Sequence, residues 1–134
     1  VDFVDTDFPL FRLADVYLMY AEAVLRGGSG GDAATALNYV NMVRTRAYGD
    51  EGGNITSADL TLDFILDERA RELYWEAQRR TDLIRFGKFS GGDYLWEWKG
   101  AVKDGRSIDA KFDIYPIPAS DVIANPNLTQ NSGY

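Results

Sequence analysis

The 134-residue sequence contains no cysteine and no histidine. Disulfides, thiol nucleophiles and Ser-His-Asp triads are therefore excluded, and a zinc site of the usual kind lacks its main ligands. No apolar run approaches the roughly 20 residues that a membrane-spanning helix needs. The net charge of −7 disfavours nucleic acid as a partner, because phosphate contacts require clustered lysine and arginine. We therefore expect no metal ion, no cofactor and no nucleic acid.

The length suits one domain, residues 1–134, with one modest hydrophobic core. Aromatic residues make up 13% of the chain, which is a high share. Such a share predicts that large flat side chains pack either into a core or onto a ligand. The sequence begins with VDFVDTDF, which is neither an initiating methionine nor a signal peptide. We expect it to be a piece of a longer protein, or a processed product.

Residues 10–48 have the pattern of two antiparallel helices. Apolar residues recur at helical spacing from Leu10 onward, and more than one side of this first helix is apolar. The stretch GGSGGD then ends one helix, and Asp32 is a suitable N-cap for a second helix that runs to about Tyr48. The unit is close to the length of a tetratricopeptide repeat, about 34 residues. The pattern predicts a tetratricopeptide-like helical hairpin.

A third, long helix is predicted over residues 61–87, with Thr61 as its N-cap and Gly87 at its end. Residues 88–134 are rich in turn formers, with short β-like runs at 94–98 and 112–115. The predicted fold class is therefore mostly α, with a loop-rich C-terminal part and short β segments.

The third helix alternates acids and bases inside its apolar stripe, which is costly unless the charges satisfy one another. Glu76 and Arg80 are four residues apart, a favourable spacing for an ion pair on a helix. We predict a partly buried structural ion network that joins this helix to the hairpin. Its expected members are Asp15, Glu22, Arg44, Arg69, Glu72, Glu76 and Arg80.

Two other interpretations of the charged helix are weaker. A glycosidase pair drawn from Glu68, Glu72 and Glu76 is disfavoured, because hydrolytic carboxylates face each other across a bond, about 5 to 9.5 Å apart. Acids on one helix lie side by side instead, next to arginines that keep them ionised. A phosphate-binding stripe of arginines 79, 80 and 85 is weakened by the neighbouring acids at 76 and 82.

Tyr94, Trp96 and Trp98 alternate with other residues in the first β-like run. In an extended strand, alternate side chains point the same way, about 6.6 Å apart. The three rings would then form a flat platform on which the C–H faces of sugar rings can stack. The alternative is that the rings cover the ends of the helices. We predict these three residues as the candidate ligand site.

Several stretches together resemble the C-terminal part of the SusD/RagB family. They are FRLADVYLMYAEAVL, ALNYVNMVRTRA, ILDERARELYWEAQRRTDLIRFGKF, YLWEWKG and YPIPASDVIANPNLTQNSGY. The likeness extends from about Phe11 to the end of the chain. One departure is Ala77, where many relatives have glycine.

The resemblance implies a mostly α-helical scaffold of tetratricopeptide-like hairpins and a protein without catalytic activity. It further implies a lipid-anchored protein on the outer face of the outer membrane of a Gram-negative bacterium, with the anchor outside this chain. Such proteins capture glycans or other nutrients and cover a SusC-like TonB-dependent transporter. The alternative function is a tetratricopeptide-like scaffold that binds other proteins and has no ligand site of its own.

Overall fold

A computed structural model describes residues 10–134 and shows a mostly helical chain, in which the described residues form no sheet. The chain divides into two compact units, the first ending at Arg79 and the second running from Arg80 to Tyr134. The predicted fold class, mostly α, is confirmed. The helices are α1 (Leu13–Leu25), α2 (Ala33–Tyr48), α3 (Leu62–Glu72), α4 (Arg79–Arg85) and α5 (Ala119–Ala124).

Helices α1 and α2 form the hairpin that the sequence predicts. The carboxylate of Asp32 accepts a hydrogen bond from the Thr35 backbone N–H at 2.8 Å, which caps α2. Gly49 ends α2 in the left-handed conformation, with φ of 81°, which glycine adopts without steric cost. Asp32 therefore defines where α2 begins, and Gly49 defines where it ends.

The core of the first unit lies between α1, α2 and α3. Small residues, Ala21 and Ala36, let the hairpin helices approach closely, and both are fully buried. Full burial of a large aliphatic side chain contributes about 1.5–3 kcal/mol. The buried cluster consists of Leu18, Ala21, Ala36, Val40, Leu60 and Ile65.

Helix α1 is apolar on a second side as well, as its sequence indicates. Leu13, Val16 and Met19 follow one another at three-residue spacing, and each is exposed. The described residues therefore cover one face of α1 and leave its other apolar face open.

The third helix is shorter than the sequence predicts. Helix α3 ends at Glu72, and α4 begins only at Arg79. Between them, Trp75 and Ala77 have φ of 65° and 60°, a conformation that residues with a Cβ rarely adopt. A guanidinium N–H of Arg12 donates to the Glu72 carbonyl at 2.7 Å, which satisfies one of the last free carbonyls of α3. This long-range hydrogen bond stabilises the end of α3 at Glu72. No local sequence pattern predicts that the helix ends there.

The second unit is built from turns and two short helices, α5 and nearly all of α4. The β-like runs at 94–98 and 112–115 do not form strands, and the described residues contain one isolated bridge, between Gly91 and Ile108. The first run fails as a strand because Trp98 has a left-handed backbone, with φ of 69°, and enters a 3₁₀ turn at Lys99–Ala101. The first half of the second run, Phe112 and Asp113, lies in a 3₁₀ turn at Ala110–Asp113.

Side-chain amides near the C-terminus replace the missing strand partners. The Gln130 amide accepts from the Ile117 N–H and donates to the Ile117 carbonyl, both at 2.8 Å. Asn131 donates to the Tyr115 carbonyl at 2.7 Å. These bonds satisfy the backbone of the YPIP segment in the way that a neighbouring strand would. They explain why the tail can be ordered without a sheet.

Candidate functional site

The charged residues of the first unit are joined in ion pairs across the helices. Arg69 of α3 donates to Asp15 of α1 at 2.7 Å, and both side chains are almost completely buried. Glu22 of α1 pairs with Arg26 one turn later, at 2.8 Å. The first of these pairs links α3 to the hairpin.

Glu68 is a second buried junction, and it was absent from the predicted network. Its carboxylate accepts from Arg44 of α2 at 2.6 Å and from Arg71 of α3 at 2.8 Å. Arg44 also donates to the Gly53 carbonyl and lies over the ring of Phe64. Glu68 was missed because its partner Arg44 lies on another helix, and spacing within α3 gives no signal for a contact between helices.

Arg12 is the other member of the ion network that was not predicted from the sequence. Its guanidinium donates to Glu72 at 2.9 Å and to Glu76 at 2.8 Å. The hydrogen bond to Glu76 raises the pKa of Arg12 above its ordinary value, against the opposing effect of partial burial. Glu72 also accepts from Arg46 of α2. One cation therefore ties the start of α1 to the end of α3.

Arg80 has partners other than those expected. The predicted pair with Glu76 required one continuous helix, and the break between α3 and α4 removes that geometry. Arg80 instead donates to the carbonyls of Phe112 and Asp113, at 2.7 and 3.3 Å. Its guanidinium lies 4.1 Å from the centre of the Tyr115 ring. Within the second unit, Arg80 is part of an aromatic wall.

The two weaker interpretations of the charged helix gain no support. Glu68 and Glu72 each accept hydrogen bonds from two arginines, so neither carboxylate faces a cleft in the way a glycosidase acid must. The three arginines of the basic stripe are directed to different groups: Arg79 to the Leu66 carbonyl, Arg80 to backbone carbonyls, and Arg85 to Asp82. Among the described residues, no group of three acids could hold a metal ion.

The predicted aromatic platform is only partly assembled. Tyr94 and Trp96 have ring centres 6.1 Å apart, and the ring centre of Phe89 lies 6.2 Å from that of Trp96. The ammonium of Lys99 lies 4.6 Å from the Trp96 ring centre and donates to the Tyr94 carbonyl at 2.7 Å. Trp98 is 65% exposed and has a left-handed backbone, so a strand face shared by all three rings does not form.

The second unit contains a cavity at its surface. Its volume is about 480 Å³, within the 300–1,000 Å³ typical of ligand pockets. We call it the aromatic cavity. Its walls combine four rings, two isoleucines, two small residues and two arginines: Phe89, Phe112, Tyr115, Tyr134, Ile108, Ile114, Gly100, Ala101, Arg80 and Arg106.

The aromatic cavity was not predicted from the sequence, because its lining residues come from positions spread between 80 and 134. The sequence predicts Phe112 and Tyr115 in a short strand and gives no separate signal for Tyr134. Here the Tyr134 hydroxyl bonds the carbonyls of Lys111 and Ile114, both at 3.0 Å. The signal in the sequence that points in this direction is the high aromatic share of the whole chain.

A second cavity, of about 450 Å³, lies in the first unit, and its lining is mostly polar. Its side chains are occupied by local structure. The Asn41 amide both donates to and accepts from the backbone of Ile55, and Thr45 donates to Asn54 at 2.9 Å. This cavity has fewer apolar surfaces for a ligand than the aromatic cavity.

No helix in the described part of the chain is long and apolar enough to cross a membrane.

Comparison with known proteins gives consistent matches. The profile of the SusD family matches residues 2–134. The chain is 46% identical to the starch-binding protein SusD of Bacteroides thetaiotaomicron, over 97% of this chain and 22% of that protein. It is 33% identical to the SusD-like protein P38 of Formosa agariphila, over 97% of this chain and 25% of that protein.

Solved structures show the same relationship. A SusD superfamily protein from Bacteroides vulgatus superposes with a TM-score of 0.69 at 37% identity, over 93% of this chain and 27% of that one. The surface glycan-binding protein A of Bacteroides thetaiotaomicron gives a TM-score of 0.71 at 32% identity, over 92% and 24%. The chain spans about a quarter of the length of the relatives it matches.

Proposed function

Because the chain belongs to the SusD family, we propose that it is part of a non-catalytic protein that binds glycans at the bacterial cell surface. The family match over residues 2–134 carries this proposal. Its relatives include one named as a starch-binding protein and one named as a surface glycan-binding protein.

The second unit supplies chemistry that suits sugars. Tyr94, Trp96 and Phe89 form one group of rings, and the aromatic cavity adds Phe112 and Tyr115. Rings provide flat apolar surface for the C–H faces of a sugar, and nearby polar groups can fix its hydroxyls. We propose Tyr94, Trp96 and Trp98 as ligand contacts, with Trp98 acting as an exposed ring apart from the other two.

The first unit supports binding without catalysis. A general acid needs a carboxyl group that can reach the substrate. Glu68 and Glu72 are instead enclosed by arginines, and the sequence offers no histidine or cysteine. We therefore assign the predicted ion network, including Asp15, Arg44 and Arg69, to holding the scaffold together.

The finer parts of the proposal follow from the family. We propose that the full protein is held on the outer face of the outer membrane by a lipid anchor outside this chain. It would deliver glycans to a SusC-like TonB-dependent transporter. The competing function is a helical scaffold that binds other proteins, which the exposed apolar side of α1 favours.

Tryptophan fluorescence tests the proposal directly, because the chain has three tryptophans. A variant with Trp75→Phe and Trp98→Phe leaves Trp96 as the reporter. We expect malto-oligosaccharides or other glycans to change its emission with a saturable dependence on concentration. The matched control keeps Trp75 alone, which lies in the first unit and is 88% exposed. Retained binding to a transporter barrel, with no glycan response from any tryptophan, would favour the scaffold instead.

A further inference from the structure

The two arginines of the aromatic cavity are not neutralised by carboxylates. In the first unit, Arg12, Arg44 and Arg69 each pair with an acid at 2.6–2.9 Å. Within the described residues, Arg80 and Arg106 make no such ion pair. Their hydrogen bonds go to backbone carbonyls of Phe112, Asp113 and Gly100. Both positive charges therefore remain available to a ligand.

The local structure holds both guanidiniums at the cavity wall. Arg80 lies against two rings, 4.1 Å from the centre of Tyr115 and 5.0 Å from that of Phe89. Arg106 crosses the backbone at Gly100, and its Nε donates to the Gly100 carbonyl at 2.9 Å. A Cβ on Gly100 would come within 2.7 Å of the Arg106 side chain, so the close approach requires glycine.

Each guanidinium retains unused donors. An arginine carries five N–H groups, and backbone carbonyls take up the Nη2 of Arg80 and the Nε of Arg106. None of the ten lining residues is acidic. Asp113 follows Phe112 in the chain, but it is not part of the lining, and its carboxylate accepts from the Ser90 hydroxyl at 2.9 Å.

We propose that the aromatic cavity binds an acidic oligosaccharide, one whose sugar rings carry carboxylates. The rings of Phe112 and Tyr115 would pack against the apolar faces of the sugar. The free N–H groups of Arg80 and Arg106 would bond its carboxylates, a geometry in which a planar guanidinium can make two parallel hydrogen bonds. This inference rests on the proposed glycan-binding function and adds the charge class of the ligand.

The probe is a pair of oligosaccharides that differ in charge. Tetragalacturonate is the acidic member, and maltotetraose is the neutral member of equal length and the same α-1,4 linkage. Titration of the whole 134-residue chain by calorimetry at low salt measures both affinities. We expect tetragalacturonate to bind about tenfold more tightly, as one or two charge-assisted hydrogen bonds provide. Raised ionic strength should reduce that preference.

Variants of Arg106 locate the effect. Arg106 is an exposed residue, so its substitution should leave the fold intact. We expect Arg106→Gln to remove most of the preference for the acidic sugar, and Arg106→Lys to keep part of it as a point charge. Lys103→Gln is the matched control, because Lys103 is an exposed cation outside the cavity lining. It should leave both affinities unchanged.

Three outcomes would overturn the inference. Equal or tighter binding of maltotetraose would remove the charge preference while leaving glycan binding in place. An unchanged tetragalacturonate affinity in Arg106→Gln, in a variant with native circular dichroism, would place the acidic ligand elsewhere. Binding of neither sugar, together with silent tryptophans in the glycan screen, would remove the proposed function as well.

Discussion

The buried arginines of the first unit and the cavity arginines of the second unit have opposite kinds of partner. In the first unit, arginines are matched with buried carboxylates, as in Arg69 with Asp15 and Arg44 with Glu68. In the second unit, Arg80 and Arg106 bond backbone carbonyls and lie against rings or solvent. An arginine that is paired with a carboxylate in the protein interior stabilises the fold. An arginine with free N–H donors at a cavity can bind a ligand. The same residue type therefore has two roles in one chain.

The largest expected effect comes from breaking the buried junction at Glu68. Glu68→Ala leaves Arg44 without its carboxylate, and that side chain is only 12% exposed. Removing one partner of a buried pair costs about 3–5 kcal/mol in the free energy of unfolding. Urea unfolding followed by circular dichroism measures it. Glu97→Ala, at an exposed position of the second unit, is the control and should change stability little. A loss at Glu68 no larger than at Glu97 would contradict the structural role.

A smaller loss is expected at Glu76. Its side chain is 34% exposed, and its ion pair with Arg12 is correspondingly screened by water. We expect Glu76→Ala to cost about 1 kcal/mol or less, since partly exposed pairs contribute little. The same urea titration applies, and Glu76 and Glu68 can be compared directly. An equal loss of stability at Glu76 and Glu68 would show that burial does not determine how much each ion pair contributes to stability.

Replacing Ala77 by glycine should stabilise the first unit slightly. Ala77 has φ of 60°, where a Cβ costs about 1–2 kcal/mol and glycine is free of that cost. Part of the gain is lost to the greater freedom of glycine in the unfolded chain, so the net effect should be under about 1 kcal/mol. Thermal unfolding measures it.

The control for Ala77→Gly is the same substitution within a regular helix. Ala47 lies near the end of α2 and is exposed, so Ala47→Gly should destabilise by up to about 1 kcal/mol. Opposite signs at the two positions would support the left-handed backbone at Ala77. Equal losses would mean that residues 73–78 continue the helix.

The smallest effect concerns Asp32, the N-cap of α2. The backbone N–H of Thr35 and then its hydroxyl hold the pKa of the Asp32 carboxyl below its ordinary value. Because this pKa is lowered on folding, the associated stability is present above the ordinary pKa and is lost as pH falls through the lowered one. Carbon-detected NMR titration of the carboxyl measures the pKa. Thr35→Val should move it part of the way back, and an unmoved pKa would exclude the hydroxyl bond.

The regular parts of the fold were predictable because their signals are local. The hairpin follows from apolar spacing and from the caps Asp32 and Gly49, which lie next to the helices they end. The break after Glu72 was not predictable in this way. It depends on Arg12, sixty positions earlier in the chain, and on left-handed residues that are not glycine. Propensity within a window carries no information about such a contact.

The candidate site was predictable in composition and not in arrangement. The pattern at 94–98 indicated aromatic recognition, and Tyr94 and Trp96 do lie together. The alternation of aromatic residues could not show that Trp98 leaves the extended conformation. The turn there is closed by a hydrogen bond from the Trp98 N–H to the carbonyl of Lys103, five residues ahead. Arg80 was placed with the wrong unit for a related reason, because helical spacing was extended through a break in the helix.

The most direct measurement is an NMR titration of the labelled chain with tetragalacturonate and with maltotetraose, with amide and arginine side-chain signals observed together. We expect chemical shifts to change among residues 80–134, strongest near Arg106 and Tyr115, while the side-chain signals of Arg44 and Arg69 stay fixed. Changes centred on Arg44 and Arg69, with the second unit silent, would contradict the separation of roles between the two units.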